Sequence, residues 1–263
     1  MKTISKLLCV ALCAWSGLVI GQDKPGDKMM MSKNAMMAKK KLMAPETMSM
    51  AKKSMMSKES MVPSMVAKEM VQQDVMHDKE AKSMVEKATM TKTTDDKMMM
   101  SDEQVSMAGE KMTNDPNAMQ MLFQEMVARH IATKKMAMMK KTDPKMMTMG
   151  GKEMKSMVMD EGAMMGAKKE MMTSESTAMM MAREELIQSL MADKEVMAVV
   201  EKEAMMYEDP KMAPMMTDDK MKMEGESMLK DKAKAKGMMQ ETMVRKMTDG
   251  KPKMMKSDTK TKK

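Results

Sequence analysis

The chain has 263 residues; 57 are methionine, and three (Trp15, Phe123 and Tyr207) are aromatic. Its 46 basic and 38 acidic side chains leave a formal charge of +8, yet only Arg129, Arg183 and Arg245 among the bases are arginine. That balance argues against nucleic acid, whose readout favours the arginine fork and, for single strands, aromatic platforms. It leaves polyanionic surfaces open as partners.

Residues 1–21, MKTISKLLCVALCAWSGLVIG, read as a secretory signal peptide. Lys2 and Lys6 supply its basic start and Leu7 to Ile20 its apolar stretch, and Val19 and Gly21 are small enough to precede a cut at Gln22. The apolar stretch is shorter than the roughly 20 residues that span a bilayer. A secreted mature chain without a membrane anchor is expected. Cys9 and Cys13 both lie inside the signal, so the mature chain has no disulfide to staple a weak core.

A weak core is what the composition implies. Beyond residue 21, Leu, Ile, Val and Phe make up about 8% of the residues, against the roughly 20% below which a highly charged chain is disordered. Methionine partly refills the deficit, but it specifies packing poorly and loses roughly 1.5–2 kcal/mol of rotamer entropy when ordered. The expected fold class is a mostly disordered, low-complexity chain with short α-helical islands and no β-sheet.

In chain order, 22–112 is a Met/Lys-rich tract with Pro25, Pro45 and Pro63 as breakers, expected to be disordered. The phrases SMVAKEMV (64–71) and SMVEKATM (83–90) recur in it without a fixed period. Residues 113–142 carry the first amphipathic helix. Asp115 caps it, Pro116 occupies its first turn, and Met119, Leu122, Phe123, Met126, Val127 and Ile131 fall on one stripe. A Gly/Met-rich linker follows at 143–175, then a second amphipathic helix at 176–208 with Leu186, Ile187, Leu190, Met191, Met197 and Val200 on its stripe. Both helices close on Asp-Pro-Lys-Met (143–146 and 209–212), which suggests a duplicated helical unit. Neither stripe can be buried by a lone helix. The two are therefore expected to pair as an αα-hairpin or to self-associate with a second copy. Residues 209–263 return to a Met/Lys-rich basic tail.

Chemistry-bearing patterns are sparse. His77, among Asp74, Asp78 and Glu80, and His130, beside Arg129, read as surface residues. No nucleophile elbow, zinc-helix motif, phosphate loop or calcium loop occurs, so neither catalysis nor a cofactor is expected. The group in excess is the thioether, a soft ligand that selects Cu(I). Clusters occur at Met48 and Met50, at Met154, Met157 and Met159, and at Met221 and Met223; Met146, Met147 and Met149 are the soft-metal candidates. At this methionine content such spacings arise from composition alone. Acidic pairs such as Asp102-Glu103, Asp160-Glu161 and Asp218-Asp219 suit weak, reversible calcium contact rather than a high-affinity site.

A secretory signal, a cysteine-free Met/Lys-rich mature chain and helical islands together resemble the methionine-rich shell-matrix (nacre) proteins of molluscs. The resemblance implies a secreted, non-catalytic structural component of an extracellular biomineral matrix, in contact with acidic matrix macromolecules or a calcium carbonate surface. Poly-Asp runs and silk-like Gly/Ala repeats are lacking, which favours a framework role over nucleation. Two other roles stay open: a secreted Cu(I)-binding protein, and a sacrificial methionine antioxidant or sulfur store.

Overall fold

Met, Ala, Lys and Glu are all good helix formers. The computed structural model, which describes residues 31–57, 60–90, 101–142, 151–173, 175–209 and 211–249, is accordingly helical almost throughout. About 89% of those residues lie in helices and none in a strand. The helices fall into three consecutive sets of four. The first holds α1 (Lys33–Leu42), α2 (Pro45–Met55), α3 (Val62–His77) and α4 (Lys79–Met90). The second holds α5 (Asp102–Asn114), α6 (Pro116–Thr142), α7 (Gly151–Met159) and α8 (Glu161–Thr173). In the third are α9 (Glu175–Met191), α10 (Lys194–Met205), α11 (Asp218–Lys230) and α12 (Lys232–Thr248), with 3₁₀ turns at Met206–Glu208 and Ala213–Met215 between α10 and α11.

The breaks between helices are chemical and recur from set to set. Ser32 caps α1 by accepting from the Ala35 N–H, and Ser101 caps α5 in a capping box with Gln104. Each fourth helix starts on an aspartate. The Asp78, Asp160 and Asp231 Oδ1 atoms accept from the backbone N–H of Ala81, Ala163 and Lys234. Asp115 and Asp193 open α6 and α10 in the same way, through Asn117 and Val196, whereas α2 starts on Pro45. Where such a cap is present, one side-chain oxygen satisfies orphan N–H groups, so a single residue suffices to end one helix and begin the next.

Packing follows the same order. The first helices α1, α5 and α9 pack on one another, as do the fourth helices α4, α8 and α12. The second helices α2 and α10 both pack on α6, and the third helices α7 and α11 both pack on α3. The described chain is thus three related four-helix units packed together, with α3 against α6 as the broadest contact between units.

This overturns the expectation of a mostly disordered chain. The tract expected to be disordered holds α1 to α4 and most of α5, the expected linker holds α7 and α8, and the expected tail holds α11 and α12. The error lay in judging the core by Leu, Ile, Val and Phe alone. Those residues are used with almost no waste: every one beyond residue 21 is buried except Val199, which packs half-buried against the same core. Among the described residues the core adds eighteen methionines and fourteen alanines, which together outnumber all its other members. Alanine lets helix axes approach closely, and the unbranched thioether fills the irregular gaps that remain. At roughly 25 cal/mol per Å² of apolar area, a buried methionine contributes much as a leucine does, roughly 1.5–3 kcal/mol, which exceeds its extra rotamer cost of about 1 kcal/mol.

The two expected amphipathic helices also differ in detail. Helix α6 is buried on every side from Leu122 to Ala128, Gln124 and Glu125 included, so it is a central helix rather than a surface one. The second island is two helices, broken at Asp193. Helices α6 and α9 touch, but no αα-hairpin forms: α6 packs chiefly on α3, α10 and α2, and α9 chiefly on α5 and α12. Leu122, Phe123, Leu186, Ile187 and Leu190 are all covered within the one chain.

Two glycines separate backbone cost from packing need. A Cβ at Gly225 on α11 would lie 3.0 Å from Val71 Cγ2 on α3, whereas one at Gly237 on α12 would meet nothing within 4 Å. Gly237→Ala is expected to stabilise the fold by roughly 0.5–1 kcal/mol through helix propensity. Gly225→Val should cost roughly 1–3 kcal/mol by forcing α11 off α3. Urea unfolding followed by circular dichroism checks both signs.

Candidate functional site

All three arginines of the chain meet at one place. Arg129 comes from α6, Arg183 from α9 and Arg245 from α12; Glu69 of α3, Glu125 of α6 and Glu184 of α9 face them. The Arg129 guanidinium forks onto Glu184, with Nη1 donating to Oε1 at 2.8 Å, and also reaches Glu125 Oε1 at 2.9 Å. Arg245 forks onto Glu69, donating from Nη1 at 2.9 Å and approaching from Nη2 at 2.7 Å. Arg183 pairs with the other Glu125 oxygen. Gln73 donates to Glu69 at 2.9 Å, and Gln188 donates to Glu184 at 3.2 Å. At the edge, Lys68 pairs with Glu241 at 2.8 Å.

The carboxylates are nearly sealed, at 4% exposure for Glu69 and Glu125 and 6% for Glu184. Three guanidiniums and three carboxylates cancel, which is the condition for burying charge at all. Burial works to raise the Glu69 pKa, but Arg245 and Arg129 overcome it and hold the carboxyl at about 2. Burial likewise opposes ionisation of Glu125, and Arg129 and Arg183 prevail in lowering its pKa. Burial would lower Arg129, yet Glu184, Glu125 and Glu69 keep it raised. The Nε atoms of Arg129 and Arg245 are buried without a hydrogen-bond partner. The former lies 3.8 Å from Glu69 Oε2 and the latter 3.6 Å from Glu184 Oε2. A cavity of about 10 Å³, lined by Arg129, Arg183, Arg245, Glu125, Glu184 and Met180 among others, has room for about one water centre. Chemically the network is a clamp. Glu69 and its arginine partners stay ionised at neutral pH and exchange no protons there.

The sequence-predicted residues lie elsewhere. Met146, Met147 and Met149 fall outside the described residues. Of the remaining clusters, Met154 and Met221 are core residues, whereas Met50, Met159 and Met223 are exposed and Met48 is half-buried. Helical geometry explains the split, because residues two apart on a helix face nearly opposite ways. The acidic pairs Asp102-Glu103, Asp160-Glu161 and Asp218-Asp219 stand at helix N-termini, where the dipole favours them. Among the described residues no three His, Cys, Asp or Glu side chains gather as a metal cage. His77 closes α3 by donating from Nδ1 to the Gln73 carbonyl at 2.6 Å. His130 is half-buried on α6, where burial lowers its pKa.

Sequence reasoning missed the network because the reading of 113–142 rested on its apolar stripe and assigned no role to Glu125 or Arg129. The signal was present. In a chain that uses lysine for nearly every positive charge, arginine marks the positions that need a planar, bidentate, weakly hydrated cation. The Asp-capped breaks leave a second recurring motif. Lys39 of α1 holds the α10 cap Asp193 at 2.8 Å and Glu195 at 2.6 Å; Lys155 of α7 holds the α4 cap Asp78 and Glu80, both at 2.8 Å. Each time, a lysine from one four-helix unit grips the start of a helix in another.

The chain matches no protein-family model, and no curated protein or solved structure is significantly similar to it. No helix among the described residues is long and apolar enough to cross a membrane.

Two tests follow from the network. Arg245→Met removes the forked partner of Glu69, leaves the network one carboxylate in excess, and should destabilise the fold by roughly 3–5 kcal/mol; adding Glu69→Gln restores the charge balance and should recover part of that loss. The pH dependence has a definite sign. Glu69 binds a proton in the unfolded chain near pH 4.5 but in the folded chain only near pH 2. Its contribution, on the order of 3 kcal/mol, is fully present above pH 4.5 and lost as pH falls through 2. The thermal midpoint should hold from pH 7 to 5 and decline steeply below 4.5, with a shallower decline in Glu69→Gln.

Proposed function

We propose that the protein is a secreted structural component of an extracellular mineral matrix, a helical building block that meets acidic macromolecules or the mineral through its charged surface. The observation that carries this reading is the outward face of α11 and the start of α12. Lys220, Lys222, Lys230, Lys232 and Lys234 are exposed there, interleaved with exposed Asp218, Asp219, Glu224 and Asp231. Alternating ammonium and carboxylate groups match the alternating charges of an ionic lattice and also suit a polyanion. The composition and the predicted signal peptide support the same reading. The Cu(I) alternative draws no support from the described clusters, whose thioethers are divided between core and solvent.

Adsorption tests it. The purified protein is expected to be retained on calcium carbonate powder or on an acidic polymer column and released by salt, since exposed ionic contacts are screened. Changing Lys220, Lys222, Lys230, Lys232 and Lys234 to Gln should cut retention several-fold with helicity unchanged. Equal retention of the variant would remove this face from the proposal. Absence of the protein from mass spectra of demineralised shell extract would remove the proposal itself.

A further inference from the structure

Methionine is divided by the fold into two populations of different chemical fate. Met55, Met70, Met119, Met126, Met154 and Met239 are among the most deeply buried side chains in the molecule. Twelve others among the described residues are exposed, with Met36, Met56, Met90 and Met223 at 55%, 60%, 76% and 70%. The exposed set adds little to the packed core, and Lys, Glu or Ala would serve a helix surface as well. Among the described residues no competing soft reductant shares that surface. Cysteine is absent beyond residue 13, Phe123 is buried, and the Tyr207 ring is buried with its hydroxyl donating to the Met55 carbonyl.

We propose that the exposed thioethers are a two-electron reductant layer that consumes hydroperoxides, carried on a fold whose core thioethers are kept out of reach. This function is separate from the structural reading above. In the reaction the thioether sulfur attacks one peroxide oxygen, the O–O bond breaks, an S=O bond forms, and the remaining oxygen leaves as water or an alcohol. Sulfur is oxidised by two electrons and the peroxide is reduced by two. The product is a polar sulfoxide. At an exposed position the sulfoxide is solvated and the helix persists; in the core it would be a buried polar group without a partner, which the fold does not tolerate. The division between surface and core therefore sets a capacity that is used before the structure is at risk. Because sulfoxides are reducible, that capacity is also renewable.

The experiment titrates the full protein with hydrogen peroxide and follows each methionine by peptide mass spectrometry, with circular dichroism in parallel. Met36, Met56, Met90 and Met223 are expected to oxidise at rates near that of free methionine. Met55, Met70, Met119 and Met154 should lag by roughly tenfold or more, because they wait on opening of the fold. Helicity should hold until the buried set reacts, and methionine sulfoxide reductase with a dithiol should return the mass of the surface set. Changing Met36, Met56, Met90 and Met223 to Gln should remove four equivalents of fast peroxide uptake per chain and leave helicity intact. Uniform oxidation of both sets, helicity lost with the first sulfoxides, or unchanged fast uptake in the Gln variant would each overturn the proposal.

Discussion

Three partly covered arginines must be packed against three buried glutamates, and the rest of the molecule is arranged around that requirement. The six groups come from α3, α6, α9 and α12; the first unit, with Glu69 alone, and the third, with Arg183, Arg245 and Glu184, are each unbalanced until they meet. Glu69 from the first unit needs Arg245 from the third, and Arg129 from the second needs Glu184 from the third. Removing any one partner leaves a charge in a medium that cannot solvate it. An apolar contact tolerates sliding; a forked guanidinium–carboxylate pair does not. The network therefore supplies the register that a methionine-rich interior cannot.

That complement explains how so soft a core yields a defined fold. Methionine and alanine supply volume and close approach but few constraints on which helix meets which. The constraints come from polar devices: the central network, the lysines that grip foreign helix starts, and the aspartates that fix where α4, α6, α8, α10 and α12 begin. Geometry is specified by charge and bulk is supplied by thioether. This reverses the usual division, in which shaped aliphatic side chains carry both.

What was legible in the sequence was local. Asp115, Pro116 and the apolar spacing that follows mark the start of α6 from residue identity alone, and the lack of alternating patterns left no case for strands. The repeated Asp-Pro-Lys-Met phrases follow the second helix of the second and third units in chain order, with 143–146 themselves outside the described residues. They were the visible trace of a larger repetition. The full threefold order was hidden because the units share little beyond isolated cap residues: Ser32 and Ser101, or Asp78, Asp160 and Asp231, stand in otherwise different surroundings. The composition threshold misled because it counts only the residues that most cores use. The candidate site was illegible for a different reason: Glu69 and Arg245 are 176 positions apart, and no local pattern reports that they meet.

That separation bears on how the molecule assembles. Arg245 lies on the last of the described helices, so the charge balance around Glu69 cannot be completed until nearly all of α1 to α12 is available. Helices form within microseconds from local contacts, whereas joining partners so far apart must first overcome the entropy of closing a long loop. Local helix formation is therefore intrinsically faster than the meeting of Glu69 with Arg245. The network can form only when helices from all three units are brought together, so it ties the first unit to the last.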